Sequence, residues 1–550
     1  MRSIQFTQEC LNRATDSKFC EYGQTGPHGG RIVLIRALDK HRWFAPVALA
    51  LTFGVLYLST PTWDYHADGV AYAFNIEHVY RSGRLYTRLI HQNHLLYSVF
   101  GYFAYGAALL FSDDVRALRV LQCCSAVFGA LGVFATYQLA RSYLQSAASG
   151  LLTAACLGVL AGWWRTSTDA DVYIVSATLV VSAAAIAARL PKLWPVGALV
   201  MATSMLTHQL AALGLLAVAF VVFSHSAGGL KQRVFKSAGF CFVSCTVTVF
   251  VYSMCATWGG YASTPAEVVL WAISNQGDFH FVLDPVANLA PAFKANVRLV
   301  VAWDLGLFQR TAGAVEYTAL AMSGVCLIVS TWLGFNLVTN RQGEWRLQLP
   351  PGLAMLCLLW TAPFLMFLLV WEPYLTVYRV FYAPIVVIAI IGIVESVPGG
   401  GANLQRTYHA LGGTVVLGLM LANFALSVRP GMDTTANPLV FQALSKTSQW
   451  SDGGTVILAN PNVADTVALY FNPQMRWRRV AEDPKVIDAT IREVALAGDR
   501  VWLNAEVFQS ASKEVRDLSD GSEISIVGLG NSAVFTEVRL SKQATPAPDE

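Results

Sequence analysis

Charged residues are scarce in this 550-residue chain: Asp, Glu, Lys and Arg together make up 13% of it, against about 25% in an average soluble domain. Hydrophobic residues make up 55%. This composition excludes a disordered chain and disfavours a soluble enzyme. The net charge of +3 is too small to indicate nucleic acid as a partner.

The ten cysteines lack the short paired spacings that are typical of metal sites. Nearly all of them lie in the N-terminal tail or in apolar runs, where small core residues are expected. We also expect no cleavable signal, because residues 1–43 are polar and carry seven Arg or Lys before the first apolar run. We therefore expect a cytoplasmic tail over 1–43 and a signal anchor over 44–61.

What the chain does contain is a series of apolar runs, most of them long enough to cross a bilayer. The runs cover 44–61, 95–111, 118–140, 146–163, 171–188, 194–207, 208–224, 237–257, 314–339, 352–371, 379–396 and 410–427. Short basic loops near 189–192, 231–236, 341–346 and 406 are expected in the cytoplasm.

Counting crossings forward from the cytoplasmic tail and backward from the basic loops gives sides that differ by one crossing. The two counts agree if one of these twelve runs does not cross the membrane. We expect 95–111, which is rich in Tyr and Phe, to lie along the outer interface. A polytopic α-helical membrane domain over 44–427 with about 11 crossings and interfacial helices then remains. The alternative, one helix over 194–224, would be about 46 Å long, too long for a hydrocarbon core of about 30 Å.

The regions expected outside the membrane are the loops 62–94, 164–171 and 258–313 and the end of the chain. After residue 427, short β-branched runs (455–458, 501–503, 523–527) alternate with helical patterns (463–470, 485–496, 507–518). This pattern predicts a small extracytoplasmic α/β domain over 428–540. A disordered tail is expected over 541–550.

Ionisable residues concentrate in two of the outer loops. Two carboxylate sites that face one water-exposed pocket can activate an acceptor as a general base or hold a cation. Trp163 and Trp164, next to the second site, are expected to be interfacial anchors. The motifs are Trp63-Asp64-Tyr65-His66-Ala67-Asp68-Gly69, His91-Gln92-Asn93-His94 and Thr168-Asp169-Ala170-Asp171.

Together these motifs resemble the GT-C glycosyltransferases, polytopic enzymes that take a sugar from a polyprenyl-phosphate carrier, and are most similar to bacterial members resembling protein O-mannosyltransferases and aminoarabinose transferases. The resemblance covers residues 44 to about 225 and is architectural beyond them. It implies that Asp68 is the general base for inverting attack at the anomeric carbon, with Asp64 as its rival. No cofactor is certain.

The resemblance also assigns roles to the other motifs. Asp169 and Asp171 match a second acidic motif, which in some members binds a divalent cation (Mg²⁺ or Mn²⁺) and in others orients substrate without metal. His91 and His94 match the His-Pro or Lys-Pro motif with which family members approach the donor phosphate, although the proline of that motif is missing here.

Charge logic adds Arg379 as a donor-phosphate ligand. The leaving phosphate gains negative charge that a cation must stabilise. An Arg that starts an apolar run on the outer side is costly without a partner. The alternatives are a snorkelling side chain and an ion pair with Glu372.

The sequence therefore predicts an inverting membrane glycosyltransferase of the hexosyl or pentosyl type, with its N-terminus inside and its C-terminus outside a bacterial inner membrane. Its partners would be a polyprenyl-phosphate-linked sugar, a protein, lipid or glycan acceptor, and the bilayer, but no nucleic acid. Two other classes stay open. One is a transporter, flippase or ligase-like protein for lipid-linked sugars, which usually has inverted repeats that we do not find. The other is an inactive scaffold for the C-terminal domain.

Overall fold

The computed structural model describes residues 43–83, 89–274, 284–302, 305–339, 349–395, 402–446, 450, 453–459, 462–481, 483–517, 519–528 and 531–538. Residues 48–550 form one compact unit, and of the separate unit 1–47 only the start of the first helix is described. Of the predicted tails, 1–43 and 541–550, only Trp43 is among the described residues.

Helices follow the predicted apolar runs from residue 44 to residue 423. In chain order they are α1 Phe44–Ser59, α2 Ala67–Ser82, α3 Leu95–Leu109, α4 Ala117–Leu144, α5 Ala147–Val159, α6 Ala161–Thr168, α7 Val172–Arg189, α8 Trp194–Thr207, α9 Leu215–His225, α10 Leu230–Trp258, α11 Pro265–Ile273, α12 Pro285–Val300, α13 Leu305–Thr311, α14 Ala314–Thr339, α15 Pro351–Val370, α16 Ala383–Glu395 and α17 Ala402–Asn423. The 3₁₀ segments are Pro191–Leu193, Gln209–Gly214 and Val377–Phe381, and a π-helical turn, Phe424–Val428, and a last helical turn, Arg429–Gly431, extend α17.

In the described part of the chain, six helices are long and apolar enough to cross a membrane: α4, α7, α10, α14, α15 and α17 with its extension. The pair α5–α6, bent by 63°, makes a seventh if it is one span. Shorter apolar helices are α1, α3, α16 and the stretch Gln209–His225. The expected α-helical architecture is present, while the number of eleven crossings stays a prediction.

Helix α3 lies alongside α2 at the end of the bundle that carries Asp68, Asp169 and Asp171, hereafter the acidic end. The rings of Tyr105 and Tyr80, one from each helix, are 5.4 Å apart. Residues before α3 line the same cavity as Asp68. Gln122, in the second turn of the next helix, α4, donates to Thr168 O beside Asp169 at 3.1 Å. Both ends of α3 therefore lie at the acidic end, which is the geometry that an interfacial helix requires.

Residues 194–224 form two segments and not one helix. Ser237 and Ser244, two turns apart on α10, donate hydrogen bonds to the carbonyl oxygens of Ala219 and Ala198 respectively. In a single straight helix these two acceptors would be about 31 Å apart, three times the spacing of the two donors. The chain therefore turns back through the 3₁₀ segment Gln209–Gly214.

The bend between α5 and α6 frees carbonyl groups that side chains from other helices satisfy. The Tyr57 hydroxyl donates to Gly158 O at 2.8 Å, and Asn423 Nδ2 donates to Val159 O at 2.8 Å. A broken helix is tolerated at membrane depth only when such partners are present. The adjacent Trp163 and Trp164 are fully buried against α4 and α1, so the prediction that they are interfacial anchors is wrong.

The predicted C-terminal α/β domain is confirmed. Its sheet has the order β2-β1-β3-β5-β4, with β1 parallel to β2 and β3 and with β5 antiparallel to β3 and β4. The elements are α18 Pro438–Lys446, β1 Gly454–Leu458, α19 Val463–Phe471, β2 Met475–Arg479, α20 Pro484–Leu496, β3 Val501–Asn504, α21 Ala505–Ser510, α22 Lys513–Asp517, β4 Ser519–Gly528 and β5 Asn531–Val538. Both faces of the sheet are covered, and α19 faces the membrane domain.

The placement of α3 gives a test of topology. In a background without native cysteines, single cysteines are introduced at the exposed positions Asp113 and Lys192. If α3 is interfacial, a membrane-impermeant maleimide added to intact cells should label position 113 and leave position 192 unlabelled. Labelling of 113 only after the membrane is permeabilised would mean that α3 crosses.

Candidate functional site

A cavity of about 680 Å³ lies at the acidic end, between α2, the segment before α3, the 3₁₀ segment Gln209–Gly214, α11 and residues 371–378. Among the lining residues that the structure describes there is no Lys or Arg, so the ionisable groups are carboxylates, imidazoles and phenols. They are Asp68, Tyr72, His91, His94, Tyr173, His208, Tyr261, Glu372 and Tyr378. Apolar lining residues include Ile90, Leu210, Leu213, Trp271, Phe367 and Trp371.

Asp68 lies in the first turn of α2, where a negative charge is stabilised by the helix dipole. Its Oδ2 is 3.5 Å from His66 Nδ1, and 46% of its side chain is exposed. Desolvation raises the pKa of Asp68, but the imidazoles of His66, His94 and His91 together lower it by a larger amount. The net shift of this pKa is therefore downward. Asp68 is therefore a carboxylate at any physiological pH.

His66 is the counterpart of this carboxylate. Burial alone would lower the pKa of His66, but Asp68, Asp171 and Asp169 together raise it to about 9. At neutral pH the imidazolium and the Asp68 carboxylate form an ion pair beside the cavity. The backbone N–H of His66 also donates to Asp169 Oδ2 at 2.8 Å, which links the two acidic loops.

Asp169 and Asp171 are buried and serve main-chain groups. Asp169 accepts hydrogen bonds from the backbone N–H groups of His66 and Ala170, while Asp171 caps the N-terminus of α7 by accepting from Tyr173 N at 2.7 Å. Burial raises the pKa of Asp169 to about 6, and burial together with the charge of Asp169 raises the pKa of Asp171 to about 8.

These two carboxylates do not fit a divalent cation well. Mg²⁺ and Mn²⁺ prefer several oxygen ligands. Three of the four carboxylate oxygens already accept main-chain hydrogen bonds, and Asp171 Oδ2 alone has no partner. Among the described residues, no group of three or more His, Cys, Asp or Glu is arranged to hold a metal ion. The geometry favours the orienting version of the motif.

Three imidazoles lie close together on the cavity wall. The ring centroids of His94 and His208 are 4.7 Å apart, and those of His91 and His94 are 5.3 Å apart. Burial, followed by the neighbouring His91, lowers the pKa of His94 to about 3, and burial also lowers the pKa of His208. His208 Nδ1 accepts from Leu210 N, so its Nε2 carries the proton. These rings are neutral hydrogen-bond donors at neutral pH.

Four predicted site residues do not line the cavity: Asp169 and Asp171, described above, and also Asp64 and Arg379. Asp64 forms an ion pair with Arg165. Arg379, on the 3₁₀ segment Val377–Phe381, is 1% exposed and donates to the carbonyl oxygens of Leu375 at 2.6 Å, Pro373 at 2.7 Å and Ala292 at 3.3 Å. These bonds hold the loop that presents Glu372, whose φ of 52° is unusual for a residue with a side chain. Donor-phosphate binding by Arg379 stays a prediction.

The sequence analysis missed His66, Tyr173, Glu372 and Tyr378. The hydroxyl groups of Tyr173 and Tyr378 are 3.4 Å apart, although the two residues are 205 positions apart in the chain. Only His66 had a local signal, because it lies two residues before Asp68. The other three reach the cavity through tertiary packing, which no spacing in the sequence reports.

The architecture is that of an integral membrane protein with a GT-C-like fold, as the resemblance implied. No family model and no curated protein matches the sequence. Among solved structures, ArnT from Cupriavidus metallidurans bound to undecaprenyl phosphate has the same fold, with a TM-score of 0.50 and 14% identity over 94% of this chain and 99% of that chain. Apo ArnT matches with a TM-score of 0.49 and 13% identity over 90% and 98%. The arabinofuranosyltransferase AftD from Mycobacteria matches with a TM-score of 0.41 and 12% identity over 91% and 40%.

The two acidic-motif residues should respond differently to substitution by Asn. Asp169→Asn replaces one of two acceptor oxygens with a donor that faces a buried N–H group, and we expect a loss of about 1–3 kcal/mol in the free energy of unfolding. Asp171→Asn can keep its oxygen on Tyr173 N and should cost less. Thermal unfolding of the two detergent-solubilised variants checks this, and equal losses would contradict it.

The pH dependence of unfolding tests the protonation of Asp171. The folded chain shifts its pKa from 3.8 to about 8, so over that interval it binds a proton that the unfolded chain releases. The contribution of Asp171 to the free energy of unfolding must therefore fall as the pH rises through the interval. Asp171→Asn should remove this component, so that its melting temperature changes less steeply between pH 5 and about 8 than that of the unaltered protein. Parallel pH profiles would show that Asp171 is ionised in the fold.

Proposed function

We propose that this protein transfers a sugar from a polyprenyl-phosphate donor to an acceptor at the acidic end, with inversion at the anomeric carbon. The observation that carries the proposal is that one cavity joins a carboxylate and a cluster of imidazole donors, inside a fold shared with ArnT, which was solved with undecaprenyl phosphate bound. The positive-inside pattern of the loops supports an outward-facing acidic end.

Asp68 is the proposed general base. It accepts the proton of the acceptor hydroxyl or amine as that atom bonds to the anomeric carbon, while the bond from this carbon to the phosphate oxygen breaks and polyprenyl phosphate leaves. The lowered pKa of Asp68 keeps its oxygens unprotonated, and proton transfer becomes favourable as the attacking atom gains positive charge. His66 holds the carboxylate in place through their ion pair.

The donor phosphate is proposed to meet His91, His94 and His208. Neutral imidazole N–H groups can donate hydrogen bonds to phosphate oxygens without the desolvation cost of a buried cation. Such donors stabilise the charge that develops on the leaving group when they are fixed in a site with little water. Arg379 could join them only if the loop that it holds were to open.

The apolar lining suits the lipid part of the donor. The rings of Tyr261 and Trp271 stack with centroids 5.3 Å apart, and those of Phe367 and Trp371 are 5.0 Å apart. These aromatic pairs and the neighbouring Leu210 and Leu213 offer a path for isoprene units next to the polar groups. A ligand with one charged and one apolar part is therefore expected.

Asp68→Asn tests the central step, because it keeps the shape of the side chain and removes its basicity. With saturating radiolabelled polyprenyl-phosphate sugar, we expect transfer to fall by about 10²–10⁴-fold while donor binding persists. Asp64→Asn is the matched control and should cost much less, because Asp64 pairs with Arg165 outside the cavity lining.

Identification of the labelled product distinguishes a transferase from a transporter. Full transfer by Asp68→Asn at normal protein levels would remove the proposed base. Movement of an unchanged lipid-linked sugar across the membrane, without a new glycosidic product, would refute the transferase itself. In the same assay, activity that survives a chelator would support the orienting version of the Asp169–Asp171 motif.

A further inference from the structure

Glu77 is a buried carboxylate that lies outside the cavity lining. It is 5% exposed, and donors from residues 116–117 and from the C-terminal domain converge on it. Arg116 Nε donates to Oε1 at 2.9 Å, the backbone N–H of Ala117 donates at 2.9 Å, and the hydroxyl of Tyr470 in the C-terminal domain donates at 3.1 Å. A buried carboxylate with this many donors is held in one position.

The same cluster caps the 28-residue helix α4. The first N–H groups of a helix have no partner within it, and Arg116 at the N-cap supplies no side-chain cap. Glu77 accepts the N–H of Ala117, and the Tyr470 hydroxyl accepts the N–H of Leu118 at 3.0 Å. The start of α4 is therefore completed by residues from α2 and from the C-terminal domain.

Arg116 also contacts Tyr470 directly. Its NH2 group donates to the carbonyl oxygen of Tyr470 at 2.5 Å, and its guanidinium carbon lies 4.1 Å from the centre of the Tyr470 ring. Tyr470 is thus bound through its hydroxyl, its ring and its carbonyl at once.

Helix α2 lies between the cavity and the C-terminal domain. Asp68, Ala71, Tyr72 and Asn75 line the cavity, and the spacing of three and four residues places them on one face of the helix. The adjacent face, about a third of a turn away, carries Phe74, Glu77 and His78. The Trp477 ring packs on it, 5.6 Å from Phe74 and 5.0 Å from His78.

We propose that Glu77, Arg116 and Tyr470 are positioning residues for the transfer reaction, which makes the C-terminal domain a structural part of the transfer site. The inference rests on the proposed function, because it takes Asp68 as the base. Asp68 and Glu77 are nine residues apart on one rigid helix, about 13 Å. A shift of the helix at Glu77 is therefore carried to Asp68.

Tyr470→Phe tests the proposal by removing one hydroxyl. It leaves the Leu118 N–H without its acceptor and Glu77 without one donor. Since a misplacement of about 1 Å can cost up to about 10²-fold in rate, we expect turnover at saturating polyprenyl-phosphate sugar to fall about 10-fold or more, with little change in the donor KM. Tyr143→Phe, which removes the same group at the other end of α4, away from Glu77, is the matched control, and it should leave turnover unchanged.

Combination with Asp68→Asn separates positioning from general damage. If Tyr470 acts through Asp68, Tyr470→Phe should not lower further the residual turnover of Asp68→Asn. An equal fold-loss in both backgrounds would overturn the proposal. Trp477→Phe makes a smaller change to the contact with α2. It should lower turnover when Asp68 is present and should not lower it further in Asp68→Asn, and an equal loss in both backgrounds would also count against the proposal.

A second readout does not need the transfer reaction. A single cysteine at Ala71, on the cavity face of α2, reports the position of the helix through its rate of reaction with a small maleimide. Tyr470→Phe should change this rate and Tyr143→Phe should not. An unchanged rate in Tyr470→Phe would overturn the positioning role. If the unaltered protein transferred no sugar, the proposed function would fail, and this reaction rate would still test whether Tyr470 positions α2.

Discussion

The need to satisfy main-chain polar groups away from water governs most of this structure. At the bend between α5 and α6 the partners are Tyr57 and Asn423, and at the start of α4 they are Glu77 and Tyr470. Gln122 donates to the carbonyl oxygens of Thr62 and Thr168, which fixes both acidic loops on α4. Each unsatisfied group in such surroundings costs several kcal/mol, so the loops have little freedom to move apart.

The same constraint acts at the acidic end, where several helices begin or end. Asp171 accepts from Tyr173 N at the start of α7, and His208 accepts from Leu210 N at the start of the 3₁₀ segment Gln209–Gly214. The two acidic loops approach each other so closely that only a glycine fits at position 69. A Cβ atom there would lie 2.6 Å from the carbonyl oxygen of Ala170. The ion pair of His66 with Asp68 then remains on the cavity side, where a substrate could reach it.

The helices and the three β-branched strands could be predicted from the sequence, because apolar periodicity indicates them. Local motifs also predicted that Asp68, His91 and His94 lie at one site, and all three line the cavity. It missed two strands, β5, Asn531–Val538, and β2, Met475–Arg479. In β2, three arginines mask an edge strand that only its partner β1 defines. It also assigned Asp169, Asp171 and Arg379 to ligands on the basis of their charge, yet their side chains hydrogen-bond to backbone groups. Whether a buried charge serves ligand or backbone depends on tertiary contacts.

The origin of the α4 cap has a consequence for biosynthesis. Tyr470 follows the candidate membrane helices of the described residues, so it is synthesised after α2 and α4. Until the C-terminal domain has folded, Leu118 lacks its acceptor and Glu77 lacks one of its donors. The order of synthesis therefore makes completion of the acidic end a late event, and a nascent chain holds an unfinished site while its last domain is still being made.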